Sequence, residues 1–255
     1  MDSAAMKAFD SDPRHRWLFC FTHPDDEIAL AAWMRRLASS GAEVWAGWSV
    51  SNPTREAEAR AVMRFLGVSE ARLFFFDAPD GDACEHLASL QGRWAEAMML
   101  SNPSRVVVCA FECGHLDHDS TNYAVTHAVA DISGECEVYE FPIYHTYLTR
   151  VPVLNRFADS TGEEVLSLLP EEWSLKREVS RMYPSQNIGS LLVWYTFWSW
   201  ARLRPAALCR TERMRRQTHF DYLRPNLPEP LRSRVEHSAK WLRWVRCVQA
   251  AEYDQ

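Results

Sequence analysis

Phe19-Cys20-Phe21-Thr22-His23-Pro24-Asp25-Asp26-Glu27 is the stretch on which the reading of this chain turns: an apolar run stops at a histidine, a proline and three acids. Residues 17–21 have the length of a buried strand, and Ile28, Leu30, Ala31, Met34 and Leu37 then recur at helical spacing. The motif therefore sits on a strand-to-helix turn. Pro24 fits the first positions of a helix, and Asp25, Asp26 and Glu27 suit the positive end of its dipole. In an open α/β sheet such a turn lies in the crevice at the carboxyl ends of the strands, where ligands bind. Neighbouring carboxylates in a tight turn diverge, so one can ligate a cation together with His23 while the other faces the water on that cation. The competing reading is that Asp25 and Asp26 only cap the helix and His23 fills a strand end.

A second stretch shifts that balance. Arg105-Val106-Val107-Val108-Cys109-Ala110-Phe111 is another buried-strand pattern, and it runs into Glu112-Cys113-Gly114-His115-Leu116-Asp117-His118-Asp119. His115 and His118 are three residues apart, which puts them on one side of a helical turn. Two strands of one parallel sheet that both deliver His and Asp at their carboxyl ends can converge on a single cation.

Outward from these motifs, strands are expected at 17–21, 43–49, 72–76, 105–111 and 135–141, alternating with helices at 28–39, 54–66, 85–100 and 120–132. That alternation means βαβ units: a Rossmann-like, mostly parallel sheet flanked by helices, in the α/β class, with right-handed crossovers. Gly41 and Gly67 are suited to end the first two helices. No G-x-G-x-x-G follows the first strand, which argues against a dinucleotide site. A helix at 171–182 and an aromatic stretch at 188–203 follow, so the chain divides into a core over 1–186 and a C-terminal helical extension over 187–255 packed on it.

With 255 residues, 47% hydrophobic and 24% charged, the chain can bury a sizeable core and shows no disorder signature. Its start lacks the apolar run of a signal peptide and no stretch reaches the roughly 18 apolar residues of a membrane span, so a cytoplasmic protein is expected. Seven scattered cysteines without a C-x-x-C pair suggest free thiols, with Cys113 an outside candidate for metal or redox chemistry. Residues 188–203, with Trp194, Trp198 and Trp200, read as a mostly buried helix, or alternatively as an interfacial or acyl-binding surface. Residues 202–246 hold eleven arginines and one lysine against Glu212, Asp221, Glu229 and Glu236. That excess could meet anionic lipid in a peripheral membrane contact, or a phosphorylated substrate, or be a solvated helix face; no nucleic-acid motif accompanies it.

The two motifs together resemble the PIG-L/LmbE family of zinc-dependent N-acetylglucosaminyl deacetylases. The likeness extends to the segment from Thr54 through Leu66-Gly67-Val68, to Phe76-Asp77-Ala78-Pro79-Asp80-Gly81, and to the run from Lys176 to Ser185-Gln186, covering roughly residues 17–186. The short loop from Ser49 to Pro53 lacks the family's usual glycines, and the Glu112-Cys113-Gly114 approach has no assigned role. Carried over, the resemblance implies that His23, Asp26 and His118 hold the metal, that Asp25 is the general base, and that His115, if protonated, assists the oxyanion. It places Arg55 and Asp80 in family-like segments as substrate contacts, although a surface salt bridge would explain either. His145, at the end of the fifth strand, is a further substrate candidate, whereas His127 is read as structural.

Two histidines and one aspartate leave open positions on a cation, as in catalytic rather than structural zinc sites. Zn2+ is the expected metal, with Fe2+ the other candidate. The expected reaction is hydrolysis of the N-acetyl, or a longer N-acyl, amide of an amino-sugar conjugate, which could be lipid-linked or phosphorylated. Two other classes remain: a facial-triad Fe(II) oxygenase, on the H-x-D…H reading of His23 and Asp25, and an inactive carbohydrate-binding relative. The sequence leaves the oligomeric state open.

Overall fold

A computed structural model describes residues 7–131, 136–145, 153–188 and 210–253, with 193, 197, 200 and 201; of His145 only the backbone is described. Trp17, Leu18, Phe19, Cys20 and Phe21 are fully buried and form β1 (Arg16–Phe21). A strand apolar on both faces belongs inside a sheet covered on both sides. β2 (Glu43–Trp48), β3 (Leu73–Phe75), β4 (Arg105–Cys109) and β5 (Glu137–Phe141) join it in parallel. The short pair β6 (Tyr144–His145) and β7 (Val153–Leu154) stands apart, and β8 (Glu164–Ser167) and β9 (Thr211–Arg216) add an antiparallel edge. The seven-stranded sheet runs β3-β2-β1-β4-β5-β9-β8. Progress along the sheet reverses between β1 and β4, making their carboxyl ends the switch-point crevice.

Among the described residues, helices with defined bounds are α1 (Ala31–Ser40), α2 (Pro53–Leu66), α3 (Leu87–Ser101), α4 (Leu116–Asp131), α5 (Pro170–Arg181), α6 (Leu231–Glu236) and α7 (Ala239–Tyr253). Gly41 and Gly67 end α1 and α2 at φ 84° and 88°, as expected of left-handed terminators. At Gly47 in β2 a Cβ would stand 2.9 Å from the Trp94 ring of α3, so the absence of a side chain is what lets this indole lie on the sheet.

Several sequence expectations need correction. The first helix does not start at residue 28: a 3-10 turn, Asp26–Ala29, comes first and α1 begins at Ala31. Two N–H groups of its first turn, on Ala32 and Trp33, go to the Glu212 carboxylate at 2.9 and 2.7 Å, an acceptor distant in sequence. The fourth helix starts at Leu116 rather than 120, which places His118 in its first turn.

Residues 211–251 of the C-terminal part contribute to the core. Residues 211–216, assigned from the sequence to a packed-on extension, form β9 in the main sheet, and Phe111 and Tyr123 share a second apolar cluster with Tyr222, Trp241 and Trp244. Its arginines find acids within the fold: Arg213 meets Glu163 at 2.7 Å, Arg215 meets Glu140 at 3.0 Å and Arg243 meets Asp82 at 2.6 Å. These three pairings account for part of the basic excess of residues 202–246. Of the aromatic stretch, Val193, Phe197 and Trp200 are exposed rather than buried, while Trp194 and Trp198 lie outside the described residues. Among the described residues no helix is long and apolar enough to cross a membrane.

Candidate metal centre

The end of β1 delivers His23, and the first turn of α4 delivers His118 beside it, both buried. His23 Nδ1 and His118 Nε2 stand 3.3 Å apart, and Asp26 Oδ1 lies 3.6 Å from the same His118 nitrogen. Tetrahedral ligands each about 2.0–2.1 Å from one ion are themselves about 3.3 Å apart. The three residues thus have both the chemistry and the spacing to hold a zinc-class cation. Burial, with His23 and His115 nearby, pushes His118 well below the usual imidazole range, keeping it in the neutral form that ligates.

Asp26 is held by backbone. Its Oδ2 accepts the N–H groups of Thr22 and His23 at 3.1 and 2.8 Å, which leaves Oδ1 toward the histidines. Burial still pushes its carboxyl upward, although His23 and those two amides oppose this, and a cation at the site would reverse the direction.

His23 is oriented from behind by a residue to which the sequence reading gave no role. Its Nε2 meets Asp117 Oδ2 at 3.3 Å, so the ring proton belongs there and the Nδ1 lone pair faces the site. Asp117 is fully buried and also accepts Gly81 N–H at 2.8 Å and Ala83 N–H at 3.2 Å. His23, Asp80 and Asp117 make a second potential ligand set. It is the poorer one, because both Asp117 oxygens already accept backbone amides and Asp80 is exposed and paired with Arg55. The only hint in the sequence was an acid lying between His115 and His118.

Asp25 does not cap the helix: it makes no side-chain cap hydrogen bond, and its backbone takes φ 121°, a strained conformation for a non-glycine residue. Glu27 holds that conformation, accepting Asp25 N–H at 3.1 Å and Trp48 Nε1–H at 3.3 Å on one oxygen and the Tyr183 hydroxyl on the other. Burial pushes Glu27 up to about 7. The Asp25 carboxyl is itself pushed well above the carboxylate range, first by burial and then by Asp26 and Glu27, so it readily takes a proton.

His115 lies edge-on to His23 with ring centroids 5.5 Å apart. Its Nδ1 accepts Asp117 N–H at 3.3 Å, which leaves Nε2 to carry the proton. Burial lowers its pKa, against the pull of Asp117, so the donor expected in protonated form is a neutral imidazole. Tyr144, passed over in favour of its neighbour, sets its ring 6.1 Å from His115 and 5.5 Å from His118; the side chain of His145 lies outside the described residues. Arg55 and Asp80 meet at the rim: Arg55 Nη1 is 3.6 Å from Asp80 Oδ2, Asp80 Oδ1 is 3.5 Å from His23 Nε2, and Arg55 also bonds Gln186. His127 stacks on Tyr123 at 4.0 Å, consistent with a structural role. Glu112 accepts Ala158 N–H at 2.6 Å, which gives the unassigned approach to the histidines an anchoring function.

Residues 49–129 match the PIG-L family model, described as GlcNAc-PI de-N-acetylase. That segment contains His115, Asp117 and His118 but not the His23–Asp26 motif. No curated protein matches the chain by sequence. Among solved structures, the zinc-inhibited form of teicoplanin deacetylase Orf2 superposes with a TM-score of 0.58 at 18% identity, covering 81% of this chain and 99% of that one. A conserved protein from Thermus thermophilus gives 0.57 at 17% identity, covering 82% and 97%. N,N'-diacetylchitobiose deacetylase from Pyrococcus horikoshii gives 0.51 at 15%, covering 83% and 89%. The match over residues 49–129 and the shared fold together bear out the resemblance to the PIG-L/LmbE-type deacetylases that the two histidine motifs carry.

Proposed function

We propose that this chain is a metal-dependent amidohydrolase that removes an N-acetyl or longer N-acyl group from an amino-sugar conjugate. The observation that carries the reading is the convergence of His23 Nδ1, His118 Nε2 and Asp26 Oδ1 beside a second carboxyl, Asp25, that is not spent on a helix cap. Teicoplanin deacetylase and diacetylchitobiose deacetylase, which share the fold, support the substrate class.

His23, Asp26 and His118 would hold the cation, Zn2+ or Fe2+. Bound there, it would lower the pKa of a water to about 7 and polarise the acyl carbonyl. Asp25 takes the proton from the attacking water and passes it to the departing nitrogen, so that one amide and one water become a carboxylate and an amine. His115 donates its Nε2 proton in a hydrogen bond to the oxygen of the tetrahedral intermediate, and loss of one such donor typically costs about 10²–10³ in rate. Asp117 keeps the His23 lone pair on the site, and Arg55 with Asp80 orients the sugar at the rim.

The facial-triad alternative fares worse. It requires Asp25 as the ligand carboxylate, whereas Asp26 is the one that approaches His118, at 3.6 Å. An inactive binder would have no use for the free Asp25 carboxyl. The test is a panel of N-acetyl and long-chain N-acyl amino sugars, assayed for free amine with zinc-loaded and iron-loaded protein. Asp25→Ala is expected to keep the metal and lose turnover by at least about 10²-fold, while His23→Ala loses both. Near-wild-type hydrolysis by Asp25→Ala would remove the base assignment, and no amine from any substrate would remove the enzyme reading.

A further inference from the structure

Away from the site described above, Cys84, Glu85 and Cys247 bring ligand atoms within 4.8 Å of one another. Cys84 and Glu85 lie on the 3-10 turn Ala83–His86, and Cys247 comes from α7. The two thiols are buried, and the Glu85 carboxylate is exposed beside them. A cavity of about 200 Å³ opens on them, lined also by His86 and Ala251. This is a soft donor set with one carboxylate, facing a space large enough for a further ligand. Thiolates of this kind select zinc-class ions over calcium or magnesium.

The local charge also favours a cation. Arg243 bonds Glu85 Oε1 at 3.0 Å and Asp82 Oδ1 at 2.6 Å. Two thiolates and the Glu85 carboxylate, with Arg243 shared between Glu85 and Asp82, leave an excess of negative charge that a divalent cation would largely offset. We propose that Cys84, Glu85 and Cys247 form a second cation site for a thiophilic divalent ion, clipping α7 to the turn that precedes α3. The position gives the clip a purpose: Gly81, just before this turn, and Ala83, its first residue, donate the two amides that hold Asp117 behind His23. The inference stands whether or not the first site hydrolyses amides.

Cobalt(II) titration of the full chain, reduced with a phosphine, tests it, because a thiolate ligand gives a near-ultraviolet charge-transfer band that a His/Asp site cannot. The band is expected in wild type, and in His23→Ala/His118→Ala, and is expected to vanish in Cys84→Ser/Cys247→Ser, which should also bind one zinc equivalent fewer in a dye competition. Absence of the band from wild type, or its survival in the double-cysteine variant, would overturn the proposal. Should circular dichroism show that variant unfolded, alkylation of wild type decides. Protection of Cys84 and Cys247 from iodoacetamide by zinc, read by peptide mass mapping, supports the site, and equal labelling with and without zinc refutes it.

Discussion

Asp117 stands between the two histidines in sequence and behind His23 in space, and its neutral isostere isolates what its charge does. In Asp117→Asn the new amide can present NH2 to His23 Nε2, which favours the tautomer protonated on Nδ1 and takes away the lone pair facing the site. Loss of such a supporting carboxylate typically weakens metal affinity about 10–100-fold. Calorimetric zinc titration of Asp117→Asn should show that loss with folding intact, and unchanged affinity would mean that Asp117 only anchors the Gly81–Ala83 backbone. At this scale the sequence was informative where a role follows from local order. The convergence of His23, Asp26 and His118 was legible because their strand ends are, and the structure brings their ligand atoms within 4.8 Å of one another. Glu27 and Tyr144 were not. The first matters because Trp48 and Tyr183 fix it over the strained Asp25 backbone, and the second because its ring faces His115 and His118; both are tertiary contacts that no spacing rule encodes.

Among the elements, α1 shows how a helix behind the site depends on a distant strand. Two amides of its first turn are satisfied by Glu212 of β9, and Lys176 of α5 bridges that carboxylate at 3.0 Å to the carbonyl of Ala29 at 2.9 Å. Glu212 and Lys176 are both buried, so Glu212→Ala strands an ammonium and two amides at once. Breaking a buried pair from one side costs about 3–5 kcal/mol. Urea unfolding of Glu212→Ala should register a loss of that size, and a change under about 1 kcal/mol would show that water replaces the carboxylate. The same contacts explain why β9 escaped the sequence reading. In Thr211–Arg216 the inward positions are Glu212 and Met214, while Arg213 and Arg215 pair with acids of neighbouring segments. A strand that carries buried charge has no period-2 apolar signal, so it read as part of a basic tail. β1 and β4, apolar on both faces, announced themselves.

For the whole molecule, two buried glutamates near the crevice each contribute a pH dependence of definite sign to stability. Burial pushes both Glu27 and Glu112 up to about 7, from a value of 4.5 when unperturbed. Between those values the folded protein keeps protons that the unfolded chain has released. The stability these two groups contribute therefore falls as pH rises from about 4.5 through 7 and levels off above, the opposite of the trend set by salt-bridged carboxylates and by the buried, neutral His118. Glu112 is the cleaner probe, since it is not in the proposed ligand set and its known acceptor role, to Ala158 N–H, can be kept by an amide oxygen. Glu112→Gln cannot ionise and so escapes the penalty. It should match wild type near pH 4.5 and exceed it above pH 7 by up to about 3 kcal/mol, the worth of the shift at about 1.4 kcal/mol per pKa unit. Denaturant midpoints of the two proteins across that range, recorded without added metal, provide the measurement. Parallel profiles at every pH would mean that Glu112 titrates like an exposed carboxyl and that the end of β4 is wetter than its buried environment implies.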